Sequence, residues 1–170
     1  MPLVNVREEN PADRAAVHAV NAAAFDTTAE ADLVDALRGK ARPLVSLVAE
    51  EGGAVIGHIL FSPVSLDENP APGIMGLAPM AVVPGRQRTG VGSVLVRAGL
   101  ERCRKLGFGA VVVLGHPAYY PRFGFQPAAR FGIRCEYDAP EEAFMLLELQ
   151  PGFLQGATGT IHFHEAFRDA

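Results

Sequence analysis

Residues 74–114 hold the pattern that most narrows what this chain can fold into: an apolar strand, a glycine-rich turn, a helix with a wide apolar arc, and a second apolar strand. The first run, 74–83, is mostly apolar, but Pro79 within it cannot donate to a ladder, so a bulge or a local parting of the sheet is expected there. Over residues 91–106, Ser93, Arg97, Glu101, Arg104 and Lys105 share one arc. Val91, Val94, Leu95, Val96, Ala98, Leu100, Cys103 and Leu106 occupy most of the rest, with Arg102 the exception. So wide an apolar arc suits a helix packed on a sheet, and Gly92 and Gly99 could allow close approach at a cost of about 1 kcal/mol each against alanine. Residues 108–114 are continuously apolar, as for a strand covered on both faces. Together these make a βαβ unit.

The remaining residues supply elements to flank that unit. A short strand is expected at 3–7, then a helix opened by Asn10, Pro11 and Asp13 and running to about Phe25. Thr27 and Glu30 have capping-box spacing ahead of an apolar stripe, Leu33, Val34 and Leu37, that ends at Gly39. Strands at 44–49 and 54–64 are joined by Glu51-Gly52-Gly53, a hairpin signal. Residues 65–73, with Pro70, Pro72 and Gly73, read as a loop; further strands are expected at 123–128 and 143–149, and a last short segment at 160–167. No repeat, low-complexity tract or dividing linker is visible. With 170 residues, 49% of them hydrophobic, the chain can bury about 70% of its unfolded surface, which excludes general disorder and argues for one domain.

Cys103 and Cys135 lie in no ligand-like spacing, so neither a disulfide scaffold nor a zinc site is indicated. His162 and His164 would share a strand face, but no third metal ligand is nominated, and no metal is expected. His58, in mid-strand, reads as a packed or edge histidine. Residues 1–9 carry no apolar leader segment and no run is long enough to span a bilayer, so a soluble cytoplasmic protein without membrane partners is expected.

The formal charge of −4 disfavours nucleic acid as a partner but conceals an asymmetry. Between Arg86 and Lys105 six basic residues face the single acid Glu101, a local +5 against −9 elsewhere. That segment suits a small anionic ligand, and the acidic remainder suits a cationic one. It begins with a loop between strand and helix, where unpaired backbone N–H groups and the helix dipole favour phosphate. A P-loop would need lysine and a hydroxyl residue after Gly90, where Val91 and Gly92 stand. A dinucleotide fingerprint would need a third glycine at Leu95.

Gln87-Arg88-Thr89-Gly90-Val91-Gly92 does fit the pattern Gln/Arg-x-x-Gly-x-Gly/Ala, and here the sequence resembles the GNAT family of acyl-CoA-dependent N-acetyltransferases. The segment Ala118-Tyr119-Tyr120-Pro121-Arg122-Phe123-Gly124-Phe125 carries the resemblance further, matching the family's Tyr-x-x-x-Gly-Phe with Tyr120 at the tyrosine position; Tyr119 lacks that spacing. The resemblance covers about residues 1–150, and the phrases around Leu77-Ala-Pro-Met-Ala-Val82 and Leu114-Gly-His-Pro are similar to a bacterial branch of N-acetyltransferases. It implies an α/β fold in a single domain over 1–170, with a core of about 1–150 and a C-terminal extension of about 151–170. A mixed central sheet of about six to seven strands, flanked by about four helices, would be parted at the acyl-CoA site.

It also implies acetyl transfer from acetyl-CoA to a primary amine by direct attack. Gln87, Arg88, Thr89, Gly90, Val91 and Gly92 would cradle the pyrophosphate, with Arg86 and Arg88 lending charge. Backbone N–H within Met80, Ala81 and Val82 would meet the oxyanion, and Tyr120 would act as general acid while also touching the cosubstrate. With reference pKa values of about 10 for tyrosine and about 8.5 for a thiol, full proton transfer would be uphill by roughly 2 kcal/mol. Residues 76–83 lack the strand glutamate that many family members use as base, leaving Glu30 and His116 as candidates for base or acceptor contact. Their structural alternatives are a capping-box acid and a solvated turn residue. Two rivals stay open: a non-catalytic acyl-CoA-binding or protein-interaction module, and a nucleotide-phosphate binder without acyl transfer. The tail beyond Gly152 could complete the acceptor groove or a homodimer contact.

Overall fold

Gly52 and Gly53 both take positive φ (59° and 83°), the backbone of a two-residue hairpin turn whose twist matches its strands. They join β2 (Val45–Glu51) to β3 (Ala54–Leu66) in a computed structural model that describes residues 4–67 and 69–169. β1 (Val4–Glu8) adds to β2, and β4 (Asn69–Val82) adds to the other side of β3, all antiparallel. Leu3 of the expected first strand and Glu68 of the expected 65–73 loop lie outside the described residues. The rest of that stretch is a correction: β3 and β4 pair out to Leu66 and Asn69, forming a long hairpin in place of the loop. Prolines two apart, Pro70 and Pro72, remove N–H groups from one edge of a strand only and leave the other edge free to pair.

β4 then pairs in parallel with β5 (Ala110–Leu114) through the crossover helix α3 (Val91–Lys105), which is the βαβ unit read from the sequence. β5 pairs with β8 (Phe144–Glu148), and β8 with the two-residue β6 (Gln126–Pro127). A three-residue β7 (Ile133–Cys135) runs beside β9 (Gly159–His162), which returns to β3 at Ser65 and Leu66. Among the described residues the sheet therefore has nine strands rather than six or seven. Three α-helices form among the described residues rather than four: α1 (Arg14–Ala24), α2 (Ala29–Lys40) and α3. Between β5 and β6, Gly115, Pro117, Pro121 and Gly124 leave only a 3₁₀ turn at Tyr120–Phe123. Ahead of α1 the capping box is present: the Asn10 side chain accepts from the Ala12 N–H, and Asp13 accepts from the Asn10 N–H. At α2 it is absent, since Thr27 accepts from the Ala29 N–H and Glu30 does not reach back.

α3 lies on one face, with Leu95, Val96, Leu100 and Cys103 against Leu47, Ile59, Phe61, Met75 and Val111. The alternate residues face the other way, where Val48 and Leu60 meet α1 and α2 and Val112 and Leu146 meet Ile133, Ile161 and Phe163. On this second face His58, fully buried, sits in a polar chain across four elements. Asn21 Nδ2 on α1 lies 3.1 Å from its Nδ1, and Ser46 Oγ on β2 lies 2.9 Å from its Nε2. Ser46 donates to Glu9 at 3.0 Å, and Glu9 is ion-paired with Arg38 of α2. The chain of partners assigns the ring proton to Nε2, so the imidazole is neutral. Burial, with a smaller push from Arg38, lowers its pKa from 6.5 to about 3.

Below about pH 6.5 the unfolded chain therefore binds a proton that the folded chain refuses, and about 2 kcal/mol of stability should be lost by pH 5. Asp13, lowered to about 2 chiefly by its hydrogen bond from Arg7, contributes stability that is lost only as pH falls from 3.8 towards 2, a separate window. Urea unfolding should show this slope between pH 6.5 and 5 in the wild type and a flattened one in His58→Gln. A slope equal in both would assign the loss elsewhere. Gly99→Ala places a methyl inside the contact radius of the buried Phe61 ring and should destabilise by about 1–3 kcal/mol despite its better helix propensity. Gly39→Ala, with open space around it, should be neutral or stabilising in the same thermal unfolding assay.

Candidate active site

β4 and β5 share ladder bonds only from Ile74–Gly76 to Ala110–Val112. Beyond Gly76, β4 stays with β3 while Val113 and Leu114 of β5 pair with β8, so the two central strands diverge. The register of β4 on β3 also slips: Ile59 faces Met80 but Phe61 faces Leu77, so one extra residue is accommodated at Ala78–Pro79. The strand edge that follows has backbone groups without a ladder partner on the β5 side. A cavity of about 610 Å³ lies at this parting, its wall running from Met80 and Val82 over the glycine loop to His116, Tyr119 and Arg122.

The loop geometry suits an anion. Arg88 and Gly90 both take left-handed φ (63° and 95°), which turns successive N–H groups to one side. The first ladder bond of α3 is Val94 N–H to the Gly90 carbonyl, so the N–H groups of Val91, Gly92 and Ser93 are free at the helix start. A Cβ on Gly92 would stand 3.3 Å from Tyr119 Oη and 3.4 Å from Met80 Cε, filling the narrow gap between loop and β4. Gln87 folds back, its Nε2 donating to the Val82 carbonyl at 2.9 Å, and so ties the loop to the strand end.

Of the residues singled out from the sequence, Met80, Val82, Gln87, Arg88, Gly90, Gly92 and His116 line this cavity. Ala81 and Val91 do not; both are buried. Thr89 is exposed and donates to the Arg86 carbonyl. Arg86 is a correction, because its guanidinium is ion-paired with Glu51 and is not part of the cavity wall. Glu30 is not on the wall either; its Oε2 is buried without a partner elsewhere on α2.

Tyr120 is buried, 7% exposed, with its ring against Gly115 and edge-on to Phe125 and Tyr119. Burial first, then the neighbouring Tyr119, pushes its pKa up to about 12. The tyrosine on the cavity wall is Tyr119, whose Oη is 3.0 Å from Ser93 Oγ. Ser93, Tyr119 and Arg122 were not nominated by the sequence. Ser93 had a signal, as the polar residue in the first turn after Gly92. Tyr119 and Arg122 did not, since their placement follows from the 3₁₀ turn and not from motif spacing. His162 and His164 find partners of their own, Glu136 at 3.5 Å and the Ala166 N–H at 3.1 Å. A surface group on α1 and α2, His18, Asp32 and Asp35, is knitted by hydrogen bonds with Thr28 and Arg38. No described helix is long and apolar enough to cross a membrane.

Residues 12–125 match the sequence model of the Acetyltransferase (GNAT) family. The chain is 38% identical over 163 residues to the N-acetyltransferase YhbS of Escherichia coli K12, covering 95% of this chain and 97% of that protein. It is 40% identical over 161 residues to the N-acetyltransferase YjhQ of the same organism, covering 92% and 89%. The crystal structure of Escherichia coli YhbS in complex with CoA superposes with a TM-score of 0.92 at 37% identity, over 99% of this chain and 93% of that one. A GNAT family acetyltransferase from Brucella melitensis in complex with acetyl-CoA superposes with a TM-score of 0.80 at 37% identity, over 98% and 99%.

Proposed function

This chain belongs to the GNAT family of acyltransferases, and from that premise we propose that it transfers an acetyl group from acetyl-CoA to a primary amine by direct attack. The observation that carries the reading is the parting of β4 from β5 directly beside the glycine loop. A thioester laid along the parted edge reaches backbone N–H groups of β4 while its diphosphate reaches the N–H groups at the start of α3. Relatives in complex with CoA and with acetyl-CoA support the choice of cosubstrate.

In the proposed reaction the neutral amine attacks the thioester carbonyl, and the carbonyl electrons move onto oxygen. Backbone N–H within 80–82 meets that oxyanion. Collapse returns the pair to carbon, breaks the C–S bond and leaves a thiolate that takes its proton from solvent as CoA leaves. Tyr120, off the cavity wall itself but with its ring edge-on to Tyr119 on that wall, is the proposed hydrogen-bond donor to the developing thiolate. Its burial keeps the hydroxyl protonated across the working pH range, but with its pKa at about 12 against about 8.5 for a thiol, full transfer would be uphill by roughly 5 kcal/mol. The burial thus raises the cost from the roughly 2 kcal/mol of an unperturbed pair, and Tyr120 acts by hydrogen-bonding the sulfur as charge develops rather than by a completed transfer. His116, on the cavity wall, is the proposed contact for the incoming amine and acceptor of its proton. Glu30, away from that wall, has no supporting geometry for this role. An α-amine near pKa 8 would need little help, being roughly a tenth neutral at pH 7, whereas a lysine-like amine is neutral in about one molecule in 2,500.

Release of free CoA from acetyl-CoA across a panel of amines tests the reading. Tyr120→Phe should lower kcat by about a hundredfold while changing acetyl-CoA affinity less than about threefold. Acetyl-CoA binding with no CoA release for any amine would overturn transfer and leave a binding module.

A further inference from the structure

The basic segment of residues 86–105 does not stay uniformly cationic once folded. Arg86 pairs with Glu51, Arg102 with Glu8 at 2.5 Å, and Arg104 with Glu101 at 2.8 Å. Elsewhere Arg7 and Arg38 are likewise held by carboxylates. Among the described residues Arg14, Arg42, Arg88, Arg97, Arg122, Arg130 and Arg134 form no ion pair, and three of these lie together: Arg88 and Arg122 on the cavity wall, Arg97 one turn along α3 from Ser93, which also lines it.

Arg97 and Arg122 each place the guanidinium over an aromatic ring. The Arg97 guanidinium carbon lies 5.0 Å from the centre of Phe123, and that of Arg122 lies 4.5 Å from the centre of Tyr119. Arg122 is further fixed by its Nε donating to the Tyr119 carbonyl at 2.9 Å. The two rings meet edge-on with centres 5.3 Å apart, and Tyr119 is tied to Ser93 at 3.0 Å. Ser93 and Arg97 on α3 thus run alongside Tyr119 and Phe123 on the 3₁₀ turn, making a ledge that leaves the cavity next to the loop. A guanidinium held over a ring has less freedom left to lose on binding an anion. Two such groups with no internal counter-charge suit a doubly charged phosphate monoester.

Resting on the acetyl-CoA reading above, we propose that this ledge binds the 3′-phosphate of the cosubstrate's adenosine, with Arg97 and Arg122 as its ligands. The glycine loop takes the diphosphate, and one helical turn, about 5 Å, separates Ser93 from the level of Arg97, a distance that adenosine can span. The ledge therefore selects the phosphorylated nucleotide end, while the loop accepts any diphosphate of the right shape. It gives Arg97, alone of the distal half of the basic segment, a role besides solvation of the helix.

Isothermal titration with CoA and with 3′-dephospho-CoA separates the two phosphate sources, because both carry the diphosphate and only one carries the monoester. The wild type should bind CoA about tenfold more tightly than 3′-dephospho-CoA. Arg97→Gln with Arg122→Gln should bring the two affinities together by weakening CoA alone, leaving 3′-dephospho-CoA within about twofold of wild type. Arg97→Lys with Arg122→Lys should keep part of the preference, and Arg104→Gln all of it. Equal binding of both ligands by the wild type, or an equal loss for both in the double variant, would overturn the proposal while leaving the acetyl-CoA reading intact. Failure of the wild type to bind either would overturn both. Thermal unfolding midpoints within a few degrees of wild type show that the surface variants fold.

Discussion

Beyond Gly76 the two central strands stop sharing hydrogen bonds, and every functional element of the molecule is arranged around the space this opens. β4 cannot follow β5 because it carries one residue too many against β3 at Ala78–Pro79 and because Pro79 has no N–H to give. β5 compensates on its other side, pairing through Leu114 with β8. The cost of the missing ladder is a strand edge whose polar groups must meet something, and the cavity beside Met80 and Val82 lets a ligand supply the partners. The crossover to α3 leaves β4 at this edge, so the helix start with its free N–H groups lies at the same opening. One irregularity in one strand thus sets the relative positions of the edge, the loop and the helix dipole.

An irregular strand needs a rigid surround, and the two faces of the sheet provide it differently. On the α3 face the contact is apolar and close, with Gly99 letting the helix settle onto the Phe61 ring. On the other face a polar chain from Arg38 through Glu9, Ser46 and His58 to Asn21 crosses from α2 to α1 by way of β2 and β3. A buried neutral imidazole with both nitrogens occupied fixes the positions of its neighbours more tightly than an apolar side chain would. His58 lies directly across from Ala81, so this chain braces the part of β4 that the β5 side leaves unsupported.

Charge is similarly local. The net value of −4 says little, and the +5 of residues 86–105, which already counts Glu101, is partly offset by Glu51 and Glu8 from outside the segment. Several arginines have no carboxylate in reach, and of these Arg88 and Arg122 lie on the cleft wall with Arg97 close by on α3. A charge run becomes a binding surface only where folding leaves it unpaired.

The βαβ unit, the glycine loop and the first hairpin were legible in the sequence because each is encoded by neighbours: apolar periodicity over a few residues, glycines where φ must be positive, a capping asparagine ahead of a proline. So was the disturbance at Pro79, since a missing donor is a property of the residue itself. The strands β1 and β8 were legible too, but other features that depend on distant partners were not. β7 is three residues long and pairs with β9 some 25 residues later, with too little local pattern to announce it. Pro70 and Pro72 suggested a loop although one edge of that strand stays free to pair. The motif spacing singled out Tyr120, yet packing against Gly115 and Phe125 buries its ring and leaves Tyr119 on the cavity wall. Glu30, placed by capping-box spacing, turned out to be neither cap nor wall. By itself the sequence determined the family's scaffold and the glycine loop, because those depend on backbone geometry that local residues impose. Which side chains face the cleft, and which arginines remain free to bind, was decided only by the tertiary structure, because both depend on partners brought together from far apart in the chain.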